Sequence, residues 1–139
     1  MVEERRPQVL RIPHLLPSLN DLLRWKGKGR RGNLEYNRIK QEIEREIYYL
    51  CTEQGIVWVP RAWFRFTWIE RSRRRDMDNI SSAGRKFILD GLVSARRLSG
   101  DGWKYVIGWE DVFRVDSHDE RIEVQIYDQL EQYGQKKEA

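Results

Sequence analysis

Hydrophobic positions along the chain follow two periods. From Glu35 onward, Tyr36, Ile39, Ile43, Ile47 and Leu50 recur at three- and four-residue intervals with Glu and Lys between them. That spacing predicts an amphipathic helix, with Gly55 as its stop. Between Ala62 and Ile69 the period shortens to two: Phe64, Phe66 and Trp68 on one side, Trp63, Arg65 and Thr67 on the other, as a strand requires. A second helix is expected to begin near Asp78 or Asn79, both good N-cap residues, to run past Ile80, Ala83, Phe87, Ile88 and Leu92, and to end at Ser99-Gly100. Shorter strands are predicted at Gln8–Ile12, closed by Pro13, and, after an Asp101-Gly102 turn, at 104–109 and 120–127. In the last of these Ile122, Val124 and Ile126 alternate with Glu123 and Gln125, and these two segments are expected to pair as neighbours. Pro17-Ser18 predicts a turn before Asn20, the Gly-rich basic stretch after Trp25 a loop, and the polar tail 129–139 a flexible end. The elements sum to helices and a sheet in a single domain over 1–128.

Composition narrows the classes. Apolar residues make up 40% of the 139, with 6 Trp, 6 Tyr and 4 Phe, enough large side chains to build a core and exclude a disordered chain. A single cysteine, Cys51, cannot form a disulfide or a cysteine zinc site within one chain, and points to a reducing cytoplasm. No apolar run approaches the length of a membrane span, and no signal-peptide pattern follows Glu3 to Arg6. The net charge of +4 conceals clustering. Arg24, Lys26, Lys28, Arg30 and Arg31 are interleaved with Gly27, Gly29 and Gly32, and Arg71, Arg73, Arg74 and Arg75 form a second group. Such clusters are either solvated faces or the electrostatic footprint of a nucleic-acid binder.

The stretch Asp76-Met77-Asp78-Asn79 puts two carboxylates two residues apart where strand is expected to give way to helix. In extended backbone such residues project to one side. Their repulsion is relieved by a shared hard cation or, on the other reading, by helix capping and salt bridges to Arg73, Arg74 or Arg75. Asp101 is a third acid, at the turn after the helix. Three acids with no neighbouring His, Cys or Ser nucleophile point to Mg²⁺ or Mn²⁺ chemistry on phosphate, with one metal or two. Asp111, Asp116 and Asp119 read as loop acids, although Asp111 or Asp116 could add a ligand. Tyr36, Trp25 and Trp103 are either packing residues or stacking platforms for bases. His14 and His118 are isolated and receive no role.

These residues, in order, resemble a known signature. Arg75-Asp76-Met77-Asp78-Asn79, then Lys86, Asp90-Gly91-Leu92 and Asp101 are similar to the pattern of the RusA-type Holliday junction resolvases. Pro17-Ser18-Leu19-Asn20 resembles their N-terminal Pro-Ser-x-Asn element, and Trp103-Lys104-Tyr105-Val106 the strand after their third aspartate. The likeness runs from about residue 8 to residue 127. It implies an α+β fold, a small mixed β-sheet packed against two main helices, and a homodimer that makes paired, Mg²⁺-dependent nicks in four-way DNA junctions during recombination and repair, with a phage or prophage origin. It also implies Asp76, Asp78 and Asp101 as metal-binding acids and Lys86 as the catalytic lysine. Two departures stand out. In the family the lysine follows the Asn by three residues, a place held here by Ser82, so Lys86 comes one helical turn late; and Gly102 stands where many relatives carry a second acid. On this reading Lys86 steadies developing charge, and the basic residues Arg24, Lys26, Lys28, Arg30 and Arg31 grip the DNA backbone. Arg73, Arg74 and Arg75 then guide phosphates to the metal. A non-catalytic DNA-binding protein and a nuclease of broader branched-DNA specificity are the alternatives, and for Lys86 a solvent-facing helix position.

Overall fold

The structure is a computed structural model that describes residues 6–129. Seven elements follow in order: β1 (Gln8–Ile12), α1 (Leu19–Lys26), α2 (Gly29–Glu53), β2 (Ala62–Glu70), α3 (Met77–Ser94), β3 (Val106–Val115) and β4 (Arg121–Asp128). The strands form one mixed sheet in the order β1-β4-β2-β3, so the fold is α+β. β4 runs antiparallel to β1 and β2, and β3 runs parallel to β2. The tail from residue 130 lies outside the described residues.

β3 and β4 are therefore not neighbours, contrary to the sequence expectation. A parallel pair needs a crossover, and α3 supplies it between β2 and β3. The chain then steps over the end of β2, where the Asp116 amide donates to the Glu70 carbonyl at 2.9 Å, and returns on the far side as β4. Alternation in 120–127 fixes which side chains face the core but not which strand lies next to it.

The basic glycine stretch is a joint between two helices rather than a loop. Ser18 and Asp21 form a capping box that starts α1, making three helices where two main ones were expected. The Gly27 amide bonds the Leu23 carbonyl at 3.0 Å, and Gly29, at φ +62°, takes the left-handed turn that releases the chain into α2. A Cβ on Gly32 would lie 1.6 Å from the Trp25 carbonyl oxygen, so only glycine lets α1 and α2 approach so closely. At its other end α3 stops at Ser94, short of Ser99-Gly100. Arg96, at φ 59°, turns the chain back, and the Arg97 guanidinium holds the turn through the carbonyls of Ile56 (2.8 Å) and Ala95 (2.7 Å).

Phe64, Phe66 and Trp68 stack along one face of β2, each 0–1% exposed, and the helices cover that face with Ile43, Ile47, Phe87, Ile88 and Leu92. Cys51 is buried there too, and burial pushes its thiol up to about 11. Two glycines bring α3 close. The Trp68 ring lies where a Gly84 Cβ would meet it at 2.6 Å, and Ile47 occupies the corresponding place at Gly91. Among the described residues no helix is long and apolar enough to cross a membrane.

Gly84→Ala is expected to lower the free energy of unfolding by about 1–3 kcal/mol, because a rigid indole must move. Gly102→Ala, where an added Cβ meets nothing within 4 Å, is the control that should be near neutral in the same denaturant titration.

Candidate acidic site and its basic surroundings

At the end of β2 the alternation breaks: Trp68, Ile69 and Glu70 are all buried. A carboxylate in that position must be paired. Arg75 does this with a two-armed contact, its Nε and Nη2 donating to the two Glu70 oxygens at 2.8 and 2.9 Å, while its Nη1 donates to the Leu16 carbonyl at 2.9 Å. The turn into α3 is thus clamped from within, and Arg75, assigned to DNA by the sequence, is engaged inside the protein. Arg71 is likewise tied to Glu120, on the surface.

That clamp leaves the next two acids without a cation. Asp76 is the N-cap of α3 yet makes no side-chain capping bond, and Asp78 sits in the first helical turn. Both are exposed, and among the described residues neither carboxylate has a hydrogen bond or ion pair. Among the described residues the pair makes neither a side-chain capping bond nor a salt bridge, the two parts of the competing account. The positive end of the helix dipole is the compensation they have. Because α3 already begins at Met77, the pair straddles a cap and a helical turn rather than extended backbone. Asp76 opens onto a depression of about 710 Å³ shared with Glu70, Arg73, Arg75, Phe113 and Arg114.

Asp101 belongs to a different cluster. It lies 3.5 Å from Lys86 Nζ, which donates to Asp90 at 3.2 Å, and Asp90 is 3.6 Å from Lys40. The hydrogen bond it donates to Asp90, then the attraction of Asp90 and Asp101, raises the Lys86 amine above its ordinary value and outweighs desolvation. Lys86 follows Asp78 by about 12 Å of helix axis. Asp101 faces a second depression, also of about 710 Å³, with Arg61, Trp103, Lys104, Ile107 and Trp109. Among the described residues no three or more His, Cys, Asp or Glu side chains are grouped to hold a metal ion. The structure therefore brings Asp101 to Lys86 and does not assemble a three-carboxylate site with Asp76 and Asp78. The donor set that fits is the smaller one. Mg²⁺ is commonly held by one or two carboxylates, with water and substrate phosphate completing its shell, and Asp76 and Asp78 are two unengaged hard-oxygen donors.

Other residues do work the sequence did not reveal. Asp111 is not a loop acid: it lies within β3, accepts from Trp68 Nε1 at 2.9 Å and from Arg85 at 2.8 Å, and Arg85 stacks over Trp109 at 4.6 Å. Asp116 and Asp119 do lie in the turn before β4, beside Arg121. Glu70 carried one legible signal, an acid ending an apolar alternation just before an arginine run. Of the aromatic residues, Tyr36 packs against Phe87, whereas Trp103 is 99% exposed.

The first basic group is split between helices. Arg24, paired with Asp21 at 2.9 Å, and Lys26 close α1; Lys28 caps α2; Arg30 and Arg31 occupy its first turn, which holds no acid. All five are exposed. Cations at a helix N-terminus oppose its dipole, so an external anion is the natural complement. Arg73 and Arg74 are also exposed and lack acidic partners among the described residues. Compared with models of known families and with curated proteins, the chain matches none.

Arg75→Ala should cost about 3–5 kcal/mol of stability, since it strands the buried Glu70 carboxylate. Arg73→Ala and Arg74→Ala should each stay within about 0.5 kcal/mol in the same denaturant titration. The Lys86 amine, followed by NMR, should half-titrate above 10.5 and return toward that value in Asp90→Asn. Because its folded value is raised, its contribution to stability is full below 10.5 and is lost as pH climbs through the folded value.

Proposed function

We propose that the protein is a Mg²⁺-dependent endonuclease that nicks branched DNA, four-way junctions in particular, acting as a homodimer. The observation that carries this reading is the pair Asp76 and Asp78, held at the start of α3 with no side-chain capping bond and, among the described residues, no ion pair, while the adjacent Arg75 is engaged by Glu70. Charged groups left without partners beside unpaired arginines are expected where ligand, rather than protein, completes the electrostatics. The ordered resemblance to the junction resolvases supplies the substrate class.

Each side chain then has a part that follows from its position. Asp76 and Asp78 supply the oxygen donors for the cation, which when bound polarises the phosphate and activates water. Arg73, at the rim of the depression, and the neighbouring Arg74 hold the DNA backbone. Lys86, kept cationic by Asp90 and Asp101, sets a positive charge on the exposed face of α3, facing phosphate rather than metal. The surface formed by Lys26, Lys28, Arg30 and Arg31 neutralises further phosphates and makes binding steeply salt-dependent.

A second reading, a DNA-binding protein without catalysis, is favoured by one observation: Asp101 sits with Lys86 rather than with the other two acids. A labelled synthetic four-way junction separates the two. Endonuclease action predicts symmetric nicks with Mg²⁺ or Mn²⁺, none with chelator, and a fall of about a hundredfold or more in Asp76→Asn or Asp78→Asn with junction binding retained. Equal activity in wild type and both variants would remove these acids from the mechanism. Tight binding with no nicking at any metal concentration would establish the second reading.

A further inference from the structure

β3 is an edge of the sheet: β2 bonds one side of it, and no strand among the described residues bonds the other. It is 10 residues long against 5 for β1 at the opposite edge. Its one irregularity lies at its beginning, opposite Ala62 and Trp63, and from Gly108 to Val115 it has no proline, lysine or bulge. Soluble proteins blunt long edges with such features, because an open edge is a template for another strand. Three large apolar residues on it are exposed: Ile107, Trp109 at 47% and Val115 at 51%.

We propose that a second copy of this chain pairs its β3 antiparallel to this one, about a twofold axis at Val112, to make one continuous sheet. Charge selects the register. In an antiparallel self-pair, residues equally far before and after the axis face each other, and like charges directly opposite are destabilising. An axis at Glu110, Asp111 or Arg114 sets a charged residue against itself, one at Phe113 sets Glu110 against Asp116, and one at Trp109 pairs no opposite charges and draws the irregular start of the strand into the ladder. The axis at Val112 sets Glu110 against Arg114 and Trp109 against Val115, each twice by symmetry. Arg114 has no ion-pair partner among the described residues, and Glu110 bonds Arg65 through Oε1 alone, leaving Oε2 for the incoming guanidinium. The faces agree as well. Glu110 bonds Arg65 on the side of the sheet away from the helices, whereas Trp109 and Asp111 meet Arg85 of α3, and pairing about Val112 keeps like faces together.

This interface rests on the homodimer of the proposed function, and sedimentation equilibrium and cross-linking test it without DNA or metal, so its failure leaves metal-dependent nicking to be judged separately. Wild type is expected at twice the 16.8 kDa chain mass. Glu110→Arg and Arg114→Glu should each weaken self-association by about tenfold or more. Mixed together they should associate again, since each copy then offers the charges the other lacks. Val112→Cys should form an interchain disulfide on mild oxidation, whereas Arg114→Cys, which faces position 110, should not. A wild-type chain that sediments as a monomer, variants that associate as wild type does, or a Val112→Cys chain that cross-links no better than the Arg114→Cys control would overturn the proposal.

Discussion

The indole of Trp68 is the point on which the architecture turns. It is buried on the central strand, its ring face lies in the groove that Gly84 leaves in α3, and its N–H reaches Asp111 on the neighbouring strand. Asp111 takes Arg85 from α3 in turn, and Arg85 lies on Trp109. One side chain thus ties β2, β3 and the crossover helix into a unit whose buried polar atoms are all satisfied, since no buried side-chain nitrogen or oxygen lacks a partner among the described residues. An indole fits this role because it brings a large apolar surface and a single donor that must be met. A smaller aromatic residue would lose the link to Asp111, and a wider residue at 84 would lose the contact with the helix.

The same economy of partners shapes the charged surface. Glu70 claims Arg75, Asp111 claims Arg85, and Asp90 and Asp101 share Lys86. Among the charges left over are two carboxylates at the start of α3, and arginines and lysines on the loop before it and at the start of α2. The proposed function reads these groups together: the two carboxylates as donors to a hard cation, and the neighbouring cations as a surface for phosphate.

Much of this was legible along the chain, and the failures have identifiable causes. The four-residue recurrence of Ile39, Ile43 and Ile47 and the alternation of Phe64, Phe66 and Trp68 report local periods, and both elements are where those periods put them. Gly27, Gly29 and Gly32 were read as a loop because glycine marks either freedom or close approach. The second applies at Gly32, for a reason that lies in the carbonyl of Trp25 and in no neighbouring residue. Strand order was missed because β4 carries the same alternation whichever strand it borders. For the site, sequence order placed Asp76 and Asp78 correctly at the head of α3. It had no means to say that Arg75 would turn inward to Glu70, or that Asp101, released by the early end of α3 at Ser94, would settle beside Lys86.

The position of β4 between β1 and β2 has a consequence for how the molecule comes into being. During synthesis the first strand emerges more than a hundred residues before the strand it bonds, as the pairing of Gln8 with Ile126 shows. Until that last segment leaves the ribosome, β1 has no strand to pair with, and the helices can gather over only part of a sheet. Completion is therefore a late, nearly all-or-none event governed by long-range closure, and a chain stalled before residue 121 would present Leu10, Ile12 and Phe66 to whatever chaperone is at hand.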